Sequence, residues 1–395
     1  VRTISIWKAW TGCVSLILAL ALPLLADQHM ERDGRGWLQE TTGSLSNDKN
    51  LQVMRFVGSV RVVTGARSGS YVLRLLSQEP MEKDARKQFT NFRVTFGHKG
   101  GEVLIQTIGT IDLGVRAELI IQLPSSMEMV HVDTLAGKIT IHGKVNHLDL
   151  RTHGGDIELD DADVLRAVTM GGSVTVNHCL RDSFISTGGG DIRVDASVGD
   201  LQISSLGGNI WLKAISNGRV QSGGGNIEVV RSNGPLLVRT AGGNINLGEI
   251  GGPVTAETGG GNIRIGVAHG MVVASTALGN IELWKLSQGA QAHTGMGRIT
   301  AEFIGNRESM KDSELVTSMG DIVVYVANTV PCNFHAVIAT SPTRHIVTDF
   351  SDLKISNGLP EYGPRSVAAE GAVHGGGPTV EMRTMIGQIE LRNTK

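Results

Sequence analysis

The chain has 395 residues, of which 41% are hydrophobic and only 4% aromatic, with 36 basic side chains against 38 acidic ones. That apolar content can bury a substantial core, whereas near-neutral charge without a basic block argues against nucleic acid as a partner. Glycine, at 52 residues, is about twice as frequent as usual, but with 10 prolines and no Gly-X-Y period the chain is not collagen-like.

Residues 1–26 read as an export signal. Arg2 and Lys8 precede the apolar run CVSLILALALPLL at 13–25, and Ala26 offers a cleavage point. The run is shorter than the ~18 residues of a permanent span, so an uncleaved anchor is the lesser alternative. The expected location is therefore secreted, periplasmic or attached to the cell envelope, with no transmembrane domain beyond the signal segment. Cys13 lies ahead of the apolar run, which suits lipoprotein processing badly. Cys179 and Cys332 are too far apart in sequence for a disulfide framework or metal spacing and are expected as two separate buried thiols.

Residues 27–48 are polar and aperiodic, as in a flexible leader. Residues 49–130 contain alternating runs such as GSVRVVTG, SYVLRLLS, GEVLIQT and AELIIQLP. These predict an antiparallel β-layer that caps the segment beginning at 131, with no long helix.

From 131 to 330 the chain repeats. Anchored on Ile263, equivalent positions are Ile139, Ile157, Val174, Ile192, Ile210, Ile227, Ile245, Ile281 and Ile299, spaced by 17 or 18 residues. Weaker copies at Ile322, Ile346 and Ile389 come after longer steps of 23, 24 and 43 residues. Five residues before the anchor every copy carries Thr or Ser, including Thr187, Ser205, Ser222, Thr240, Thr258, Thr276 and Thr294. Two residues before it, every copy but Arg344 carries Gly. Asn or Asp usually comes next, giving the corner pairs Gly208–Asn209, Gly225–Asn226, Gly243–Asn244, Gly261–Asn262 and Gly279–Asn280.

Period-two alternation puts positions −7 and −5 on one strand face and 0 and +2 on another, with −6 and +1 outward. Gly, Asn and Asp between them tolerate the left-handed backbone expected at a sharp corner. A unit of ~18 residues with two short strands cannot bury its apolar face alone, and stacking on neighbours solves this. The predicted fold is all-β: a parallel β-solenoid (β-helix) of ~18-residue rungs behind an N-terminal antiparallel β-layer. The Thr/Ser column becomes a hydroxyl ladder and the Asn column an amide ladder. Residues 331–395 form irregular C-terminal rungs and a cap, interrupted by a long loop at about 349–378.

The repeated T-x-G-G-N-I-x-V units behind a signal segment, with AELIIQLPSSMEMVHVDTLAGKITIHG at the start and GGGPTVEMRTMIGQIEL at the end, resemble the bacterial putative-adhesin family, domain of unknown function 4097. The resemblance covers residues 49–395. It implies an exported, all-β, non-enzymatic protein and supplies no catalytic or binding residues. Related toast-rack modules accompany envelope-stress signalling proteins, which makes a periplasmic sensor or scaffold the alternative role.

The glycines invite other readings. A phosphate loop needs Lys-Ser or Lys-Thr after the glycines and then a helix, and both are missing. Calcium-binding β-rolls need Asp carboxylates twice per ~18 residues, where five consecutive rungs here carry Asn. Asp160, Asp161 and Asp163 read as a solvated acidic loop. A carbohydrate-cleaving β-helix is the rival class. It requires converging carboxylates, and only the loop with Asp349, Asp352, Glu361, Arg365, Glu370 and His374 offers candidates. His142, His147 and His153 fall close together without a metal-ligand pattern. Trp211 and Trp284 sit on or near outward positions, where they pack on the surface or stack on a sugar. No cofactor is expected, and the partner is a glycan, a protein or the envelope surface itself.

Overall fold

The computed structural model describes residues 27–108, 114–340, 345–358 and 366–394. The expected signal at 1–26 lies outside the described residues, as do Ser341, Arg344, Glu361 and Arg365. Within them the chain is all-β except for one helix, Glu82–Asn91.

Two ladders of parallel strands run the length of the repeat. In the first, Ile227, Ile245, Ile263, Ile281 and Ile299 stand in register on successive strands. In the second, Ser222, Thr240, Thr258, Thr276 and Thr294 do the same. Longer strands such as Ile139–Thr152 and Ile192–Ser205 bend from one ladder into the other. Each turn of chain thus adds one strand to each ladder.

The turn from Ile245 to Thr258 shows where the core comes from. Ile245, Leu247, Ile250, Val254, Ala256 and Thr258 are buried, while Asn246 and Gly248 between them are exposed. The predicted columns 0, +2, −7 and −5 face inward, and two further columns, +5 and −9, join them. The four large aliphatic side chains of one turn contribute on the order of 8 kcal/mol. Ordering ~18 residues costs at least about twice that. A single turn therefore cannot stand alone, and the hydrogen bonds and burial shared with its neighbours make the difference.

The N-terminal part departs from expectation. The leader predicted to be flexible is instead a hairpin: Asp27–Asp33 pairs antiparallel with Gly36–Ser44, which pairs with Ser70–Ser77. Its side chains are polar because they lie at the sheet end, where strand formation is driven by backbone pairing and needs little apolar patterning. The layer over 49–130 is mixed. Ser70–Ser77 and Val115–Pro124 are antiparallel, but Ser59–Ala66 runs parallel to Val115–Pro124 and to the start of Ile139–Thr152. Asn50–Val57 likewise lies parallel to both Glu102–Ile108 and Met129–Ala136. The two ladders therefore begin within this layer. The helix Glu82–Asn91 buries only Ala85 and Phe89, one i, i+4 pair, with an Arg86–Glu82 ion pair on its exposed side. Two apolar residues are too few for a readable period.

At the other end the rungs leave sequence order. Ser313–Met319 and Ile322–Ala327 pair with Thr379–Ile386 and Ile389–Thr394, the last strands of the chain. Cys332–Ile338 and Ile346–Thr348 pair onto the far side of those last strands. The copy at Ile389 is thus inserted between those at Ile322 and Ile346. Antiparallel strands Ser366–Val373 and Lys354–Gly358 then close the second ladder.

Candidate functional site

The repeated corner is the most regular polar feature. Thr258 Oγ1 donates to the carbonyl of Gly243 one rung back at 2.8 Å and accepts the N–H of Gly261 in its own corner at 3.2 Å. Thr187, Ser205, Ser222 and Thr240 make the same two bonds, donating to Gly172, Gly190, Gly208 and Gly225. Thr276 and Thr294 donate to Gly261 and Gly279, both at 2.9 Å. These hydroxyls are buried, and each bond satisfies a backbone group that stops pairing where the strand ends.

The Asn column is held mainly through the backbone. The N–H groups of Asn226, Asn244, Asn262 and Asn280 donate to the side-chain oxygen of the preceding rung's Asn at 2.8–2.9 Å. The side-chain amides of Asn226, Asn244 and Asn262 add longer contacts of 3.3–3.4 Å to the same oxygens.

The reason for glycine differs from the one expected. Neither the glycines of the corner pairs nor the asparagines beside them lie in the left-handed region. What requires glycine is stacking: a Cβ on Gly261 would stand 2.0 Å from the Gly243 carbonyl oxygen. Gly260, in the same corner, has no neighbour nearer than 3.9 Å.

That looser position changes identity along the chain. Residue −3 is Gly at Gly207, Gly224, Gly242 and Gly260, but then becomes Leu278, Met296, Met319 and Ile386. These four stack in register and are exposed. Here the strand continues two residues further, to Leu278 where its predecessor stops at Thr258, and Gly279 N–H donates to the Met296 carbonyl. Met170, Leu206 and Met385, at −4, lie on the same edge and are exposed as well. Sequence reasoning missed this apolar edge, although the glycine-to-aliphatic switch at −3 was its signal.

Several other candidates are committed to structural contacts. Asp349 accepts from Arg392 and from the N–H of Asn393, and these hold its carboxyl below the usual range. Glu370 pairs with His335, and His374 Nδ1 lies 3.0 Å from the Val330 carbonyl. Asp160 meets His142 and Asn177, Asp161 meets His178, and Asp163 meets Lys144. Burial pushes Asp149 upward, but bonds from His131 and Arg151 outweigh it and leave the carboxyl below its usual value. Cys179 and Cys332 are free and buried, and burial pushes their thiols up to about 11 and about 12. Among the described residues no group of three or more His, Cys, Asp or Glu is placed to hold a metal ion. Among them, too, no helix is long and apolar enough to cross a membrane.

No protein-family model matches the chain, and no curated protein does, so the resemblance to family 4097 has no model match behind it. Similar solved structures include a "putative adhesin" from Bacteroides fragilis, 10% identical, covering 90% of this chain and 97% of that one, with a TM-score of 0.24. A "putative adhesin" from Parabacteroides distasonis is 12% identical over 73% of this chain and 96% of that one, with a TM-score of 0.27. A "putative cell adhesion protein" from Clostridium sporogenes is 8% identical over 90% and 100%, with a TM-score of 0.16. Likeness this distant carries no argument about activity, and the chain is placed only as a β-rich protein similar to proteins named as adhesins.

Proposed function

We propose that this chain is an exported, non-catalytic parallel β-solenoid of the family-4097 kind that serves as an adhesin or structural surface of the cell envelope. The observation that supports the reading is the alignment of the Ile column and the Thr/Ser column from rung to rung, which persists through the local irregularities. Such a rod holds its outward side chains at fixed ~4.8 Å steps, a spacing suited to repeated contacts with an extended partner. The exposed apolar edge supports the same reading, since apolar surface gathered in one place marks contact sites. The non-catalytic part is supported by Asp349 and Glu370, two of the loop carboxylates, which are tied to Arg392, Asn393 and His335. The 1–26 segment supplies the export step.

The test is fractionation of cells expressing the chain with and without residues 1–26, and then attachment of those cells to host-cell or matrix surfaces. Export that depends on 1–26, with attachment gained only by the exporting cells, is the expected outcome. Retention of the full chain in the cytoplasm would overturn the proposal. Export without attachment, accompanied by a changed envelope-stress response on deletion, would move the role to a periplasmic sensor or scaffold.

A further inference from the structure

The polar pattern on the outward face of the first ladder breaks beside Trp284. Val229, Leu247, Ile265 and Leu283 stand in register, so the residues next in the chain, Val230, Gly248, Gly266 and Trp284, form one outward column. Two successive rungs of that column carry no side chain, which leaves a step of ~10 Å along the rod. Trp284 rises at one end of the step. Tyr325 leans toward it from two rungs on, with ring centroids 6.1 Å apart and planes at 30°. The strand bends at this point: Lys285 has φ of 49° and its N–H donates to Glu302, which lies on the rung between the two rings.

We infer that this step and its aromatic wall form a glycan-binding site for neutral pyranose units, an inference that rests on the proposed role as a contact surface. Both rings are half-buried, and neither the indole N–H nor the phenol has a hydrogen-bond partner among the described residues. Fixed rings with unspent polar ends suit a sugar, whose C–H face stacks on the ring while its hydroxyls take the polar groups. Trp211 is the internal contrast, because the Arg193 guanidinium covers its face at 3.8 Å.

The surrounding charge selects against an acidic sugar. Along the step Arg264 lies 3.9 Å from Glu282, and Arg231 stands in register with Glu249. With Glu302 and Lys285 beside Trp284 added, three carboxylates stand among three cations, so there is no cationic excess to bind a uronate.

The experiment titrates the full chain with cellohexaose, N-acetylchitohexaose and hexagalacturonate, read by calorimetry and tryptophan fluorescence. At least one neutral hexasaccharide binds. Trp284→Ala weakens it by about tenfold, the upper range of one aromatic contact, and Tyr325→Ala by about threefold, while Trp211→Ala leaves it unchanged. Melting curves and Trp284→Phe, which keeps a ring, separate loss of contact from loss of fold. Affinity equal to wild type in both Trp284→Ala and Tyr325→Ala overturns the site, as does tighter binding of hexagalacturonate than of either neutral sugar. A chain that attaches cells yet binds no hexasaccharide also overturns the site and leaves the adhesive role standing. Sugar binding at Trp284 by a chain that attaches no cells does the reverse.

Discussion

Replacing Gly261 with Ala places a methyl carbon 2.0 Å from the Gly243 oxygen, 2.5 Å from its carbonyl carbon and 2.8 Å from Asn244 N. Ordinary contact lies beyond 3.4 Å, so the two rungs must part by more than an ångström at this corner. Four bonds span or brace that gap: Thr258 to Gly243 at 2.8 Å, Gly261 N–H to Thr258 at 3.2 Å, Asn262 N–H to Asn244 at 2.8 Å and Ile245 N–H to Asn262 at 2.9 Å. Opening by an ångström takes most of them out of hydrogen-bonding range. At about 1 kcal/mol net for each bond lost, the cost is ~3–4 kcal/mol. Gly260→Ala in the same corner meets nothing nearer than 3.9 Å. It should change stability by less than about 0.5 kcal/mol, with a small gain available from the stiffer unfolded chain. Urea unfolding of the two variants side by side measures the difference. Hydrogen exchange should localise the Gly261→Ala effect to the rungs from Ile245 to Ile281, because each rung contacts only its neighbours. Equal midpoints for the two variants would refute the stacking account, since both glycines lie in one turn and differ chiefly in what stands above them.

Thr258→Val removes a buried hydroxyl that satisfies one carbonyl and one N–H; it should cost about 2–4 kcal/mol in urea unfolding, whereas Thr258→Ser should cost under about 1. Deleting residues 379–395 withdraws the rung that lies between Ile322 and Ile346, so exchange protection should collapse from Cys332 to Val373 and persist in the central rungs. Protection retained over 332–373 would contradict the inserted order. Because burial raises the thiol pKa values of Cys179 and Cys332, folding favours their protonated forms. The associated stability is intact below the unfolded thiol value near 9 and is lost as pH climbs toward about 11–12. Both thiols should resist a disulfide reagent at pH 8 until the chain is unfolded, and Cys179→Val with Cys332→Val should flatten the alkaline slope. Asp349 has the opposite sign: its contribution is present above the usual carboxylate range and lost as pH falls through its lowered folded value. Acid should therefore speed exchange at the Asn393 amide, and Asp349→Asn should remove that pH dependence.

The repeat was legible in the bare chain because stacking imposes the same demand on every rung. A column of glycine persists where a Cβ would strike the backbone of the neighbouring rung, and Thr or Ser recurs where a buried carbonyl needs a donor. Periodicity at Ile245, Ile263 and Ile281 thus carried the all-β character, the inward columns and the corner by itself. It could not say why the glycines are there, because left-handed backbone and close stacking select the same residue. Gly261 and Gly260 look alike in the chain and differ only in what lies beyond them.

Features set by partners distant in sequence had no local signal. The hairpin from Asp27 to Ser44 forms because Ser70–Ser77 offers an edge, and polar side chains at a sheet end leave no apolar pattern to read. Two strands that could each succeed Ile322 compete at the C-terminal end. Only the packed structure decides that the Ile389 strand takes that place and the Ile346 strand lies outside it. The step beside Trp284 likewise needs Gly248, Gly266 and Tyr325 on one face, a neighbourhood created by stacking rather than by sequence proximity. Local chemistry determined what each rung is made of, and the order and faces of the rungs were decided by long-range pairing.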